Sequence, residues 1–469
     1  MALSSFLKSR RKKMVELVRM LSTHFHYASI LGVDTVAKQL STNKNQKMIR
    51  EAMDTDRGFV VKVNDGRSFY EYSFDDIKNV DKVYQEVKQA FGNFDKLEEL
   101  MIHAKLNEKE YLKKDFERRS DYAKYSDDMI LEVLDKIKDE TLGKSKNLLN
   151  VYASLQMVDT NKLFVSTDRE LSQHFTWTNG NLVGVYRGED GKIVNTYEGS
   201  YSNKIKDVLE DMPKHIDNLV DTLKHLALAK PVEPGIYDII THPSISGLIA
   251  HEAFGHGVEM DQFTKKRALA ERYVGDYVAS PIVNMKDGAA SAFSVASYFF
   301  DDDGVLAHDT DIIQNGILVR GISDLVSANI LGTEPTGNGR RESHQRKAYT
   351  RMTNTFFLPG KDKVEDMIKS VKHGYMLFNT NNGMEDPKNW GIQCTAEYGI
   401  EIVDGKLTEN YVSPVVISGY VPDLLKSITM VSDKLMVIGS GGCGKGYKEW
   451  VRVSDGGPYL KGRVKLSWC

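Results

Sequence analysis

The sequence predicts an α+β fold, with an N-terminal α/β domain of mostly antiparallel strands (residues 1–230) and a C-terminal β-rich domain (residues 231–469). In the first half, runs of β-branched and aromatic residues alternate with a few amphipathic helices, which is typical of a mixed fold. Pro231, Pro234 and Gly235 then interrupt the chain. Beyond them short strands and glycine-rich turns predominate, so we place the domain boundary there.

The N-terminal half begins with an amphipathic helix whose apolar side carries Val18 and Leu21. The runs HYASILGVDTVAKQL and GFVVKVNDGRSFYEYSF predict strands, with a turn at Asn64-Asp65-Gly66. A helical stretch is expected from Asp75 to about His103. The charged run NEKEYLKKDFERRSDYAKY predicts a solvated connection or a surface helix.

Ser126 predicts the N-cap of the next helix, because apolar residues follow it at helical spacing. The strand-like runs that come next predict an antiparallel meander with turns at Asn179-Gly180 and Asp190-Gly191. A long helix from about Lys204 to Leu228 closes this half of the chain.

The C-terminal half is predicted to contain only two clear helices. IYDIITH predicts a strand, SISGLIAHEAFGHGVEM a helix, and KVEDMIKSVKHG a second helix ended by Gly374. The other segments, such as GIEIVDGKLTENY and KLMVIGSGGCGKG, predict short strands joined by turns.

The composition excludes several classes of protein. Hydrophobic residues make up 41% and charged residues 27%, which is typical of soluble globular domains. A net charge of -3 does not favour a nucleic-acid partner, and no run of about 18 apolar residues predicts a membrane span. The three cysteines, Cys394, Cys443 and Cys469, are far apart, which fits a reducing compartment. We therefore expect a cytoplasmic protein.

The segment HEAFGH predicts a metal site on the helix of the C-terminal domain. His251 and His256 are potential ligands, and Glu252 is a potential catalytic base. Their spacing of five residues would leave the two rings about 140° apart on a regular α-helix. A π-bulge restores a common face, and Gly255 would ease the distortion. The sequence therefore predicts an irregular helix between the two histidines.

The glycine-rich run Gly439–Gly446 has two interpretations. It nearly matches a phosphate-binding loop, but Gly446 stands where a Ser or Thr hydroxyl must hold magnesium, and no helix follows. The nucleotide-binding interpretation is therefore disfavoured. The other interpretation is that the glycines present Cys443 as a thiolate ligand. The residues alone leave this open beside an inert cysteine in a turn.

Four segments in order, HEAFGHGVEMD, EPTGNGRRES, RMTNTFFLPG and GCGK, resemble the TldD/PmbA family of metallopeptidases, in particular its metal-bearing TldD-type member. The resemblance implies that His251, His256 and Cys443 bind zinc and that Glu252 activates water. It also implies a two-domain subunit that dimerises around an internal cavity, as a homodimer or as a heterodimer with a related PmbA/TldE-type subunit. Unfolded or extended peptides are the implied substrates.

The predicted function is a zinc-dependent peptidase with Glu252 as general base. The alternative is a zinc-stabilised, non-catalytic binding or regulatory subunit of a related heterodimer.

Four further residues are secondary candidates. Glu259 can orient His256 or lie on the surface as a plain carboxylate. Arg340 and Arg341 can bind a peptide end or stabilise an oxyanion, or else form structural ion pairs with Glu342. His344 can donate to the transition state, or else is solvated.

Overall fold

The computed structural model describes residues 3–92, 111–446 and 448–468. Its N-terminal half forms one eight-stranded sheet covered by helices. The elements are α1 (Ser5–Leu21), β1 (Tyr27–Thr42), β2 (Lys47–Glu51), β3 (Asp56–Asn64), β4 (Phe69–Phe74), α2 (Val80–Phe91), β5 (Leu112–Glu117), α3 (Asp127–Gly143), β6 (Leu148–Ser166), β7 (Arg169–Arg187), β8 (Ile193–Ser202), α4 (Ile205–Asp211) and α5 (Ile216–Leu228).

The order of strands in this sheet is β4-β3-β1-β6-β7-β5, with β2 paired to β1 and β8 paired to β7. All pairs are antiparallel except β5 with β7. The prediction of an N-terminal domain with mostly antiparallel strands is therefore confirmed.

Both faces of the sheet are buried around its central strand β1, where successive residues point to opposite sides. Ile30 packs with the residues of α1 and α2, whereas its neighbour Leu31 packs with Phe300 of the C-terminal half. The central strand β1 consequently has a run of buried residues rather than an alternating pattern. One face of the sheet thus packs against the C-terminal half.

Several local predictions for this half are confirmed. Ser126 caps α3, and its Oγ accepts a hydrogen bond from the backbone N–H of Met129 at 3.2 Å. The turns at residues 64–66 and 190–191 join neighbouring strands, and Gly66 and Gly191 take positive φ values of 94° and 87°. Helix α2 lies within the predicted stretch 75–103, whose last residues fall outside the described ranges.

The predicted turn at Asn179-Gly180 is wrong. Both residues lie inside β7, where they pair with Gln156 and Leu155. A Cβ atom at Gly180 would come within 2.5 Å of Val208 on α4. The glycine therefore allows a helix to approach the strand closely, which is the other common reason for glycine in a strand.

Two other predictions need correction. Within the charged run, residues 112–117 form the edge strand β5 rather than a connection or a helix; charged side chains are common on edge strands because they discourage further pairing. The predicted helix from Lys204 to Leu228 is divided by a 3₁₀ turn, Met212–His215, since Pro213 cannot donate a helical hydrogen bond.

The C-terminal half contains three sheets and five short α-helices within the described residues. Its strands are β9 (Gly235–Thr241), β10 (Met285–Asp287), β11 (Thr310–Gln314), β12 (Ile317–Leu318), β13 (Gly339–Arg340), β14 (Tyr349–Thr350), β15 (Asn354–Phe357), β16 (His373–Asp386), β17 (Gly391–Val403), β18 (Lys406–Val412), β19 (Val415–Tyr420), β20 (Met430–Val431), β21 (Met436–Lys445), β22 (Lys448–Gly457) and β23 (Leu460–Ser467). Its helices are α6 (Pro243–Leu248), α7 (Met260–Thr264), α8 (Leu325–Leu331), α9 (Val364–Lys369) and α10 (Val421–Lys426).

Two of these sheets enclose the largest hydrophobic core. The order of strands is β12-β11-β10-β15-β22-β21 in one and β16-β9-β23-β19-β17-β18 in the other, where β20 joins β23. The third sheet is the pair β13-β14. Helix α6 and the segment that follows it carry Ile245, Leu248, Ile249 and Phe254 into this core. The prediction of a β-rich C-terminal half is confirmed.

The predicted end of the second helix is wrong. Helix α9 ends at Lys369, and Gly374 lies in β16. A Cβ atom there would lie 2.0 Å from the carbonyl oxygen of Asp238 on the neighbouring strand. Gly374 is therefore required for the close approach of two strands rather than for ending a helix.

Buried and half-buried ion pairs connect the two halves. Charged side chains of the first sheet and of its β2–β3 turn meet opposite charges from the loops and strands of the C-terminal half. The pairs are Lys62–Asp303, Lys162–Asp302, Glu71–Arg341 and Asp54–Arg452. The division into domains at residue 230 stays a prediction.

Candidate metal centre

The segment with both histidines is a π-helix. Ile249–Gly255 has π-helical geometry between α6 and a 3₁₀ turn, His256–Val258. The backbone N–H of His256 donates to the carbonyl oxygen of His251, five residues earlier. This wider turn brings the two imidazoles to the same side, with ring centroids 5.1 Å apart. The predicted irregularity of this helix is confirmed.

Gly255 has a different role from the expected one. Its φ of -60° and ψ of -45° are accessible to any residue, so its backbone is not strained. A Cβ atom would lie 2.2 Å from Sδ of Met352 and 2.9 Å from the carbonyl oxygen of Ala250. The glycine is therefore needed for close packing of the π-helix against the core.

Cys443 reaches the same place from a strand. It lies in β21, which forms a hairpin with β22, and it pairs with Val451. A strand runs through the glycine-rich segment where a phosphate loop would need a loop and a helix, so the rejected nucleotide-binding interpretation has no structural support. The Sγ atom of Cys443 lies 3.4 Å from Nε2 of His256.

The three side chains lie close enough together to hold one metal ion. One ligand atom each of His251, His256 and Cys443 lies within 4.8 Å of the other two. A tetrahedral zinc ion holds nitrogen at about 2.0–2.1 Å and sulfur at about 2.3 Å, so neighbouring ligand atoms are about 3.5 Å apart. The measured 3.4 Å between Sγ of Cys443 and Nε2 of His256 agrees with this value.

Glu252 lies beside the three potential ligands. Its two carboxylate oxygens are 3.8 Å from Nε2 of His251 and 3.7 Å from Nε2 of His256. These distances are too long for hydrogen bonds. The side chain of Glu252 is 24% exposed, whereas that of His251 is 3% exposed. The carboxylate is thus the most accessible group of this cluster.

The charges of the cluster stabilise one another. Burial raises the pKa of the Cys443 thiol, but the nearby charges of His251 and His256 outweigh burial and bring that pKa to about 4. Burial lowers the pKa of both histidines, but the negative charges of Cys443 and of Glu252 or Glu259 outweigh burial, so that the pKa of each histidine is raised. Cys443 is therefore held as a thiolate, the form that binds metals.

Glu259 orients His256. Its Oε1 lies 2.6 Å from Nδ1 of His256, which leaves Nε2 facing the cluster. Burial raises the pKa of Glu259, but the charges of Lys445 and His256 lower it to about 2. Lys445 also contacts both oxygens of Asp261, at 2.9 and 2.8 Å. This geometry matches the expected role of Glu259 as a partner of His256.

Sequence reasoning missed Arg351 and Lys445 as neighbours of the cluster. Arg351 is fully buried, and its Nη2 donates to both Sγ and the carbonyl oxygen of Cys443, each at 3.0 Å. Both residues lie in segments quoted for the family resemblance, RMTNTFFLPG and GCGK. The sequence did contain a signal for both residues, because each is a cation in an otherwise apolar or glycine-rich segment.

Two further carboxyls near the cluster were also missed. Burial raises the pKa of Glu385 well above its ordinary value and that of Asp455 to about 7, although the charge of a histidine opposes burial in each case. A Cβ atom at Gly257 would lie 2.4 Å from an oxygen of Glu385, and one at Gly247 would lie 2.4 Å from an oxygen of Asp455. These glycines leave room for the carboxyls.

Arg341 and His344 have partners in the N-terminal half. Arg341 donates to both oxygens of Glu71, at 2.7 and 2.6 Å. Nδ1 of His344 lies 2.6 Å from an oxygen of Asp56. Burial lowers the pKa of His344, but Asp56 more than compensates, so the pKa is raised. These contacts favour structural ion pairs over substrate contacts for both residues.

Arg340 differs from these two residues. Its Nη1 donates to the carbonyl oxygen of Met352 at 2.6 Å, and its guanidinium lies 5.6 Å from the ring centroid of Tyr298. Among the described residues, no carboxylate forms a salt bridge with it. It lines a cavity of about 130 Å³ between the first sheet and the C-terminal half. The lining includes Trp177 and Val451, the strand partner of Cys443.

Within the described part of the chain, no helix is both long and apolar enough to cross a membrane.

Comparisons with known proteins identify relatives with a similar sequence or a similar fold. Residues 234–461 match the model of the PmbA/TldA metallopeptidase C-terminal domain. A protein named metalloprotease from Methanothermobacter thermautotrophicus is 32% identical over 236 residues, which cover 50% of this chain and 51% of that protein. A zinc metalloprotease TldD homolog from Saccharolobus solfataricus is 29% identical over 282 residues, 57% of this chain and 62% of that protein. The matches thus span about half to two-thirds of these relatives.

The fold resembles that of TldE from Thermococcus kodakarensis, with a TM-score of 0.74 over 97% of this chain and 100% of that one, at 18% sequence identity. Fold and cluster together define an α+β protein with a histidine–cysteine cluster suited to a metal ion. Over residues 234–461 the chain is similar to the PmbA/TldD family.

Proposed function

We propose that this chain is a zinc-dependent peptidase that hydrolyses unfolded or extended peptides. It would be the metal-bearing, TldD-type member of the TldD/PmbA family. The observation that carries the proposal is the convergence of His251, His256 and Cys443 beside the carboxylate of Glu252. The names of the relatives, metalloprotease and zinc metalloprotease, support it.

His251, His256 and Cys443 would hold the zinc ion. Two imidazole nitrogens and one thiolate sulfur are a donor set that zinc accepts, and three protein ligands leave a position open, as in catalytic sites. When bound, zinc would supply Lewis acidity for the activation of water. The contact of Glu259 with Nδ1 of His256 keeps Nε2 available as the ligand atom.

Glu252 is the proposed general base. Its carboxylate oxygens lie within 4 Å of both Nε2 atoms without bonding to either, so they can accept a proton from a water between the rings. The same carboxyl group can then deliver this proton to the amine that leaves. Its partial exposure gives water and substrate access to it.

The cavity lined by Arg340, with a volume of about 130 Å³, is the proposed binding site for one end of the peptide. Arg340 offers a guanidinium without a carboxylate partner among the described residues, which suits a peptide carboxylate. Trp177, Tyr298 and Trp450 provide apolar surface that accepts many side chains. Arg341 and His344 are proposed to stabilise this region through their ion pairs.

The proposed assembly is a homodimer or a heterodimer with a related PmbA/TldE-type subunit. The similarity to a TldE structure supports a shared fold between such subunits.

The variant Glu252→Gln tests the function. We expect it to bind as much zinc as the parent and to cleave a reduced, alkylated polypeptide about 10²- to 10⁴-fold more slowly, which is the usual contribution of a general base. Metal content and mass spectrometry of the products are the two measurements. Glu132→Gln is the control, since Glu132 only pairs with Lys136 on an exposed helix face.

Cleavage by Glu252→Gln at the rate of the parent would contradict the role of this residue. A zinc-loaded parent protein that cleaves nothing would contradict the peptidase and favour a zinc-stabilised, non-catalytic subunit.

A further inference from the structure

Arg351 is a buried cation that contacts the sulfur of the proposed metal centre. It follows β14 in the chain and is fully buried, with a relative exposure of 0%. Its Nη2 donates to Sγ of Cys443 and to the carbonyl oxygen of the same residue, each at 3.0 Å. Its Nη1 donates to the carbonyl oxygen of Glu449, on the other strand of the hairpin. The guanidinium of Arg351 thus forms hydrogen bonds to both β21 and β22 next to Cys443.

A buried guanidinium needs an anionic partner, because an uncompensated charge in the interior is costly. The nearest carboxylate is Glu259, whose Oε2 lies 3.6 Å from Nε of Arg351, beyond hydrogen-bond distance. Glu259 is also shared with Lys445 and His256. The sulfur of Cys443 is the anionic group that Arg351 contacts directly.

We infer that Arg351 is a positioning residue for the metal centre, which orients the Cys443 thiolate and withdraws negative charge from its sulfur. The inference rests on the proposed metal site. A donor that bonds Sγ and the carbonyl oxygen of one residue fixes the direction of the side chain. A charged N–H donor also competes with the ion for sulfur electron density. The thiolate would then donate less charge to a bound ion, which would act as a stronger Lewis acid.

The absorption spectrum of the cobalt-substituted protein tests this role without any cleavage assay. Cobalt bound to a thiolate has a charge-transfer band whose energy falls as the sulfur becomes more electron-rich. In Arg351→Gln we expect the band to move to longer wavelength. We also expect the Kd for zinc to rise about 10- to 100-fold, because the Cys443 thiolate is no longer held in the direction of the ion.

Two variants complete the test. Arg351→Lys keeps a cation but cannot make all three hydrogen bonds, so we expect a band between those of the parent and Arg351→Gln; it also serves if Arg351→Gln does not fold. Arg452→Gln is the matched control. Arg452 lies on the same hairpin but bonds Asp54, at 2.8 Å through two nitrogens, and its loss should leave the band in place.

An unmoved band in folded Arg351→Gln or Arg351→Lys would overturn the inference while leaving the proposed peptidase intact. A parent protein without the charge-transfer band would overturn it as well, since Cys443 would not be a ligand. A shifted band in a protein that cleaves no peptide would support the role of Arg351 and contradict the peptidase alone.

Discussion

The sulfur atom of Cys443 interacts with several charged groups of the candidate site. Burial opposes ionisation of its thiol, yet the two histidines lower its pKa to about 4, and Arg351 donates a hydrogen bond to the sulfur. Cationic surroundings of this kind are typical of metal-binding and reactive cysteines. The position of this sulfur, and not merely the presence of a cysteine, is therefore what the proposed centre requires.

Moving the thiol by one residue should abolish the metal site. In Gly442→Cys combined with Cys443→Ala, the thiol points to the opposite face of β21, because side chains alternate along a strand. The change is sterically mild, since a Cβ atom at Gly442 meets its nearest neighbours at 3.6 Å. We expect the purified variant to fold and to lack the stoichiometric zinc of the parent by metal analysis.

The single variant Gly442→Cys, which keeps Cys443, is the control and should retain zinc. Zinc bound by the double variant as tightly as by the parent would show that a sulfur at position 443 is unnecessary.

At the residue scale, the sequence predicted the residues of the local motif but not the residues that contact them from distant parts of the chain. His251, Glu252 and His256 are close in the chain, so the local motif alone indicated a metal site and an irregular helix. Cys443 is 187 residues from His256, and the residues alone left its role as a ligand open until the family resemblance connected the two. Arg351 is 92 residues from Cys443. Such contacts depend on the packing of distant strands, which no local pattern contains.

At the scale of single elements, the π-helix could be predicted because the geometry of a regular helix is known. Five residues on an α-helix separate two side chains by about 140°, so shared ligation requires an extra residue in the turn. The observed segment Ile249–Gly255 meets this requirement. By contrast, the function of Gly255 depends on Met352, a residue that packs against it from a distant part of the chain.

Glycine was the main source of error for other elements. Gly180 and Gly374 predicted a turn and a helix end, but both lie inside strands. Each allows a close approach, by α4 in one case and by the backbone of β9 in the other. The same residue type serves turns and close contacts, and only the neighbours in space distinguish these uses.

At the scale of the whole molecule, ion pairs hold the two halves together around the cavity. Glu71 of β4 faces Lys62 and Arg341. Burial raises the pKa of Glu71, but these two cations outweigh burial and lower the pKa from 4.5 to about 2. Arg341 is 270 residues from Glu71, so the sequence could suggest an ion pair but not its partner.

The stability of the protein should depend on this carboxylate in acid. Because the folded pKa of Glu71 is depressed, its contribution is complete above about pH 4.5 and is lost as the pH falls towards about 2. In Glu71→Gln we expect the free energy of unfolding to fall by about 3–5 kcal/mol at neutral pH, since the buried Arg341 loses its carboxylate partner and Lys62 keeps only Asp303. Urea unfolding measured from pH 6 downwards should show this difference shrinking below pH 4.5.

Glu132→Gln, at an exposed ion pair, should change the free energy of unfolding by less than about 1 kcal/mol at every pH. A difference between the parent and Glu71→Gln that stays constant as the pH falls would contradict the charge-based account of this junction.

The central claim is that two imidazoles and one thiolate hold a single zinc ion, and X-ray absorption at the zinc edge tests it most directly. The account predicts two protein nitrogen ligands at about 2.0–2.1 Å and one sulfur at about 2.3 Å in the parent, with the sulfur lost in Cys443→Ser. A zinc-loaded parent protein whose spectrum contains no sulfur neighbour would contradict it.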